Sequence, residues 1–476
     1  MMLTVLGSLA LAGPPNLVLV SMDTTRADAL SSYRQEQGPY RADPVNTPVL
    51  DAFADEGLRF ESFWANAPTT LNSHATMFTG LDPHEHSVVR NGFPYMADAL
   101  TLAERLQEVG YDTIGVVGAA ALESKMGLDV GFRVYDDRMA ELMSIMYQDR
   151  ADGVVRRAFD HLDAREDAEQ PLFLFVHLYD AHTPYVPPTR MKRRHCDPTY
   201  AGSVRAQGKE FRTYVQQLRK DEADPADVAH VGELYLAEVA FVDEQIGVLL
   251  AGLEARGLLD DTLVVVTADH GESLAENQVY AYSHGSNVAE EVMQVPLLMR
   301  GYGVPLGGPG VVRSQAAMPG LAPTLERVLG LDRTLGHQPD FFDLVRPGPV
   351  RDGGHWPERP TRVATFEASR PARSRPRPSG TTCPSTAAWW LRAGVCGTPP
   401  SSTARTPSSM APGATSSPCC PCSARSSTRG TSARPSTETK TSPPRPGGRS
   451  RPWATSTDRR SCVVGRWGPV TVYGER

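Results

Sequence analysis

The residues best suited to chemistry in this chain are Asp269-His270-Gly271-Glu272, directly behind the apolar run Leu263 to Thr267. A carboxylate beside an imidazole is a natural ligand pair for a divalent cation, and a glycine next to them allows a sharp backbone turn. Asp23 follows a second apolar run, Asn16 to Met22, and Asp180 stands just beyond a third, Leu172 to Leu178. Singly, each acid is as readily a helix cap or a turn residue. Three strand ends delivering acidic or imidazole groups together make a candidate metal site, because open α/β sheets bind ligands outside the carboxyl ends of their strands.

A fourth piece is Ala67-Pro68-Thr69-Thr70-Leu71-Asn72-Ser73-His74, running on to Gly80. It reads as a loop entering a short helix that Gly80 closes. A threonine hydroxyl at a helix start faces free N–H groups and the positive end of the dipole, where an anionic ester also fits. Thr69 or Thr70 could equally cap the helix. A threonine is a poor nucleophile unless a base or a metal lowers its pKa. With Asp23, Asp269 and His270 holding a cation, Thr70 could join as a fourth ligand and as the nucleophile. Arg26 and Asp28, just past Asp23, read as a local surface pair.

The elements that must position these groups alternate. Strands are expected at 16–22, 113–117, 172–178, 263–267 and 295–299. Helices are expected at 47–56, framed by Pro48 and Gly57, at 97–109, stopping before Gly110, and at 231–253. Apolar runs without alternation fit strands buried on both faces. The expectation is an α/β fold with a largely parallel central sheet flanked by helices on both faces. The charged segment 190–229 reads as an irregular insertion or mobile lobe.

The chain has 476 residues and a formal net charge of −7, which gives no reason to expect a nucleic-acid partner. Residues 15–366 have the composition of one catalytic domain. From residue 367 the chain is dominated by Ser, Thr, Pro, Arg and Gly. Six of the seven cysteines fall there, Cys383, Cys396, Cys419, Cys420, Cys422 and Cys462, and only Cys196 lies earlier. Such a tail is either disordered low-complexity sequence or the product of a frameshift, and the scattered tryptophans and crowded cysteines favour the frameshift. The apolar start, with Ala10-Leu11-Ala12, resembles a signal peptide over residues 1–12. The protein is therefore expected in the periplasm or outside the cell, and otherwise in the cytoplasm. No run is long enough for a membrane span.

In order along the chain, VLVSMDTTRADAL, TLNSHATMFTG with Pro83 and His86, FLFVHLYDAHTPY, DDTLVVVTADHGESL and the later His284-Gly285 resemble sulfatases and their relatives in the alkaline phosphatase superfamily. The resemblance spans about Pro15 to Gly330 and implies an alkaline-phosphatase-like fold. It implies Asp23, Asp269 and His270 as metal ligands and Thr70 at the nucleophile position. His182 would be the proton donor to the leaving group or a substrate contact, and Ser73 and His74, flanking the nucleophile, would bind the substrate or a second metal. Sulfatases proper carry Cys or Ser within Cys-x-Pro-Ser-Arg, converted to formylglycine. Here Thr70, Asn72 and His74 stand at the Cys, Pro and Arg positions, and threonine cannot make formylglycine. Thr24 replaces a frequent second metal-binding Asp, and Lys125 does not match the family's Gly-Lys-x-His segment.

A threonine nucleophile resembles nucleotide pyrophosphatases and the phosphoethanolamine and phosphoglycerol transferases. In that branch Asp180, His182 and His284 could hold a second metal; His284 could equally contact the substrate or protonate the leaving alcohol, and His177 reads as structural or as a support behind the ligands. The expected activity is metal-dependent hydrolysis of sulfate or phosphate esters through a covalent Thr70 intermediate. The alternatives are a transferase of that type, or a degenerate relative that only binds anionic ligands. The expected cofactor is one or two divalent cations, Mn, Zn, Ca or Mg. The expected partner is a small-molecule, glycan or lipid-head-group ester.

Overall fold

A computed structural model of the chain describes residues 13–33 and 46–347, apart from 97, 140, 144 and 145. The signal-peptide reading at 1–12 and the tail reading at 367–476 lie outside the described residues.

Eight strands form one sheet: β1 (Asn16–Met22), β2 (Leu58–Phe60), β3 (Asp112–Val117), β4 (Val134–Asp136), β5 (Leu172–Leu178), β6 (Thr262–Thr267), β7 (Leu297–Tyr302) and β8 (Gly310–Val312), in the order β8-β2-β7-β6-β1-β5-β3-β4. β1 lies between β5 and β6 and runs parallel to both, and β3 and β4 continue the parallel set. Only β7 runs against its neighbours, pairing antiparallel with both β6 and β2. Every residue of β5 and β6, and all of β1 except Asn16, is buried. This is the reason for their unbroken apolar runs: a strand covered on both faces has no solvent side to mark with polar residues. The expected α/β fold with a mainly parallel sheet is the one observed.

The main helices are α1 (Pro48–Asp55), α2 (Thr70–Thr79), α3 (Leu102–Glu108), α4 (Ala151–Asp163), α5 (Thr189–His195), α6 (Gly208–Leu218), α7 (Pro225–Ala255) and α8 (Leu321–Val328). α3 is shorter than the expected 97–109, because Thr101 and Glu104 form a reciprocal capping box that fixes its start. α7 begins earlier than the apolar pattern suggests, at Pro225, with the Asp224 side chain accepting from Ala226 N. The stretch read as irregular, 190–229, is largely helical. It holds most of α5, all of α6 and the start of α7, and α5 packs on α7. Charged residues hid these helices because only one stripe of each is buried, such as Tyr214 and Leu218 on α6. α7 also serves α1, since Asp243 accepts from Val49 N and Leu50 N at 3.1 and 2.8 Å and satisfies that helix start from another element. Among the described residues no helix is long and apolar enough to cross a membrane.

Candidate metal centre

Ladder register sets the site. Ser21 of β1 is level with His177 of β5 and with Thr267 of β6. The residues after these rows therefore emerge at one rim, Asp23 from β1 and Asp269-His270 from β6. Two backbone donors lock the rim: Asp23 N to Leu178 O at 2.8 Å and Thr24 N to the Asp269 carboxylate at 3.2 Å. Thr24 adopts φ +51°, a left-handed conformation unfavourable for a β-branched residue. That strain is held in the loop that turns its N–H toward Asp269.

Asp23, Asp269 and His270 are each fully buried, and one ligand atom from each lies within 4.8 Å of the others. The atoms left without a hydrogen-bond partner are Asp23 Oδ1, Asp269 Oδ2 and His270 Nε2. His270 Nδ1 lies 2.9 Å from the Gly271 carbonyl, so it carries the proton and Nε2 keeps its lone pair. Asp269 Oδ1 is already satisfied by Thr24 N and His270 N, at 3.2 and 2.8 Å. Burial lifts the Asp23 carboxyl to about 7, with Glu272 adding to the rise and His284 and Thr70 opposing it. Burial, and then the nearby Asp23, push Asp269 well above the carboxylate range. Burial likewise presses His270 well below its ordinary value, toward the neutral imidazole a metal needs. Two buried carboxylates side by side, each with an unpartnered oxygen, beside an unpartnered imidazole nitrogen, fit a divalent cation.

Thr70 is the first residue of α2 and is almost fully buried, and its side chain lowers the Asp23 pKa. The Thr69 hydroxyl is taken by Asn72 Oδ1 at 2.6 Å, and Leu71 N is taken by Asn91. Thr69 therefore makes no side-chain cap. Gly80 closes the helix at φ +68°.

Several expected roles need correction. His74 and Ser73 point into the protein. His74 Nδ1 lies 2.8 Å from Thr70 O and Nε2 lies 2.9 Å from Ser21 Oγ, while Ser73 Oγ donates to Asp269 O at 2.6 Å. Both are fully buried and tie the Thr70 helix to β1 and β6, so neither is available to a substrate. Asp180 is committed elsewhere. It accepts from Ala151 N at 2.8 Å at the start of α4 and pairs with Arg150 at 3.2 Å. Among the described residues no cluster of metal-ligating atoms joins Asp180 to His182 and His284, so that second metal set is not assembled. Arg26 is buried. Besides Asp28 it reaches the Glu272 carbonyl and the Glu276 carboxylate, so the pair is no surface feature. Gly271 is needed for a close approach: a Cβ there would stand 2.1 Å from the Glu291 carbonyl oxygen.

His182 and His284 do reach the centre. The His284 ring lies 4.5 Å from that of His270 and 4.9 Å from that of His182. Burial pulls the His284 pKa down, but the Glu272 carboxylate 3.0 Å from Nδ1, with Asp23 and Asp269 beyond, more than reverses this and raises it to about 9. His182 is stacked on Tyr179 and its Nδ1 lies 2.6 Å from the Thr183 carbonyl; burial and His284 lower it to about 3. Two residues already singled out in the sequence gain their partners here. His177 is fully buried, with Nε2 3.1 Å from Asp23 Oδ2. Its position next to last in β5 was the available signal. Glu272 pairs with His284 across a loop, which spacing alone does not reveal.

The family model described as "Sulfatase" matches residues 15–317. An uncharacterised sulfatase of Escherichia coli K12 is 23% identical over 322 residues, covering 60% of this chain and 62% of the relative. The choline-sulfatase of Rhizobium meliloti is 23% identical over 363 residues, covering 67% and 68%. The chain thus spans 62% of the length of the Escherichia coli protein. A structure solved in complex with its substrate D-glucosamine-2-N,6-O-disulfate superposes with a TM-score of 0.56 at 20% identity, covering 71% of this chain and 82% of that one. The phosphonate monoester hydrolase of Agrobacterium radiobacter gives 0.53 at 22%, covering 69% and 76%. These structural likenesses establish the shared fold.

Proposed function

As the chain belongs to the sulfatase family, we propose that it is a metal-dependent hydrolase of sulfate or phosphate esters with Thr70 as its nucleophile. One observation carries the reading: Thr70 begins α2 beside Asp23, whose free oxygen converges with the free oxygen of Asp269 and the free Nε2 of His270. A divalent cation held by Asp23, Asp269 and His270 would offset the two carboxylates, lower the Thr70 hydroxyl pKa so that its proton passes to solvent, and polarise the ester.

In this reading Thr70 Oγ1 attacks the sulfur or phosphorus, and the bond from that atom to the leaving oxygen breaks. His284, held as the imidazolium by Glu272, gives its Nε2 proton to the leaving oxygen. Water then attacks the Thr70 ester, returns one proton to His284 and frees Thr70. The positive end of the α2 dipole favours the anionic ester at this end of the helix. His182, neutral with Nδ1 fixed on Thr183, serves as a substrate contact and not as the proton donor.

Relatives named choline-sulfatase, ulvan-active sulfatase and N-acetylglucosamine-6-O-sulfatase support a small-molecule or glycan ester as substrate. The extracytoplasmic location rests on residues 1–12 alone. A panel of aryl sulfates, phosphomonoesters, phosphodiesters and phosphonate monoesters, run with wild type and Thr70→Ala in Mn²⁺, Zn²⁺, Ca²⁺ and Mg²⁺, tests the assignment. Turnover lost in the variant is expected. Turnover unchanged in it overturns the nucleophile.

A further inference from the structure

We propose that Cys196, His230 and Glu233 form a second cation site, built of thiolate, imidazole and carboxylate and suited to Zn²⁺. Cys196 is the C-cap residue directly after α5, and His230 and Glu233 stand three apart on one face of α7, against which α5 packs. One ligand atom from each of the three lies within 4.8 Å of the others. His230 is 97% buried by its 3% exposure, and its Nδ1 has no hydrogen-bond partner although it lies 3.6 Å from Glu233 Oε2. A core histidine with a merely structural role hydrogen-bonds its ring nitrogens; here Nδ1 stands 3.6 Å from the Glu233 carboxylate, in a group that brings a thiol within 4.8 Å.

The surroundings hold each ligand in place. The Tyr200 ring lies flat on the imidazole, with centroids 3.8 Å apart and planes 13° apart, and its hydroxyl donates to Asp227 at 2.6 Å. Asp197 N donates to Glu233 Oε2 at 3.0 Å. The thiolate and the carboxylate together balance a divalent charge, and three protein ligands leave a fourth position for water. Zinc–sulfur and zinc–nitrogen bonds of about 2.3 and 2.0 Å need these atoms drawn together by roughly 1 Å, within the reach of side-chain rotation.

Two features weaken the affinity. Burial, and then Glu233, raise the Cys196 thiol to about 12, so the metal must displace a proton and binds better as pH rises. Lys192, one turn earlier on α5, favours the thiolate but repels the cation. When bound, the ion staples the end of α5 to α7.

The test is titration of chelator-treated full-length protein with Co²⁺ alone, following the near-ultraviolet thiolate-to-cobalt absorption. A cation at the sheet rim has no thiolate and gives no such band, so this outcome is independent of the proposed hydrolase. The band is expected in wild type and in a variant with the six tail cysteines changed to serine. It is expected to vanish in Cys196→Ser and to need at least about tenfold more Co²⁺ in His230→Gln, which keeps the thiol. Melting of each metal-free variant beside wild type shows whether it folds. Absence of the band in wild type, its survival in Cys196→Ser, or an unchanged titration in folded His230→Gln overturns the proposal.

Discussion

The Glu272 carboxylate lies 3.0 Å from Nδ1 of His284, and the pair is buried against the ring of His270. Burial alone would leave His284 neutral; the carboxylate keeps it charged up to about pH 9. An acid that must give up its proton works below its pKa. With Glu272 as the largest cause of the rise, the basic limb of kcat/KM is therefore expected above the ordinary imidazole value, with activity falling beyond it. Glu272→Gln removes the charge and should shift that limb down by about one unit or more. An unmoved limb in the pH–rate profile would separate the proton donor from His284.

In the metal-free protein the contribution of Asp23 to stability should be lost as pH rises from about 4 through 7. Asp23 titrates near 7 when folded, against about 3.9 in an unfolded chain. A raised folded pKa gives stability that is complete below the unfolded value and disappears as pH rises through the folded one. A divalent cation needs the carboxylate ionised, so its stabilisation runs the other way, and apparent affinity should rise by up to about tenfold per pH unit below 7. Melting of metal-free wild type beside Asp23→Asn at pH 5 and pH 8 checks this; a difference between the two proteins that does not change with pH contradicts it.

Thr70→Ser keeps a hydroxyl at the start of α2 and should retain measurable turnover. Thr70→Ala should lose about a thousandfold or more in kcat while melting within a few degrees of wild type. Rapid quench with a labelled ester should trap a covalent adduct in wild type and none in Thr70→Ala.

His74→Ala should be costly in stability although no substrate reaches it. The substitution removes the bridge between Ser21 Oγ and the Thr70 carbonyl and leaves a fully enclosed gap. About 2–4 kcal/mol is expected from urea denaturation. Thr70 loses its support, so kcat should fall more than KM rises.

Gly271→Ala tests the packing of the metal loop. Its Cβ would meet the Glu291 carbonyl oxygen at 2.1 Å, so the backbone carrying His270 must shift. Metal affinity should fall more than tenfold, measured by calorimetry, with a loss of a few kcal/mol in stability.

The strands were legible because burial on both faces leaves an unbroken apolar run, and Asn16–Met22 and Leu172–Leu178 were bounded to the residue. Asp23, Asp269 and His270 were legible for the same reason, as polar groups that interrupt such runs at their carboxyl ends. Asp180 shows the limit of that logic. It too follows a strand, yet Arg150 and the start of α4 draw it away, and nothing in the spacing of Asp180 announces that partner. His74 and Ser73 failed likewise. Helical geometry turns them behind Thr70, toward Ser21 and the Asp269 carbonyl, contacts between segments far apart in sequence. α5 and α6 were missed because a helix packed along one narrow stripe reads as mostly charged.

The reversal of β7 has a consequence for variation. Leu297 pairs with Thr267, so the chain departs from and re-enters the sheet at neighbouring points of the same rim. Ala268 to Pro296 hangs between two fixed sutures, with His270 and Glu272 near one of them and His284 farther along. Residues can be spliced in or out around the exposed Gln278 and Val279 without shifting either strand by a step. Descendants of this architecture can thus exchange the shape of one wall around the ester while its anchor points stay where they are.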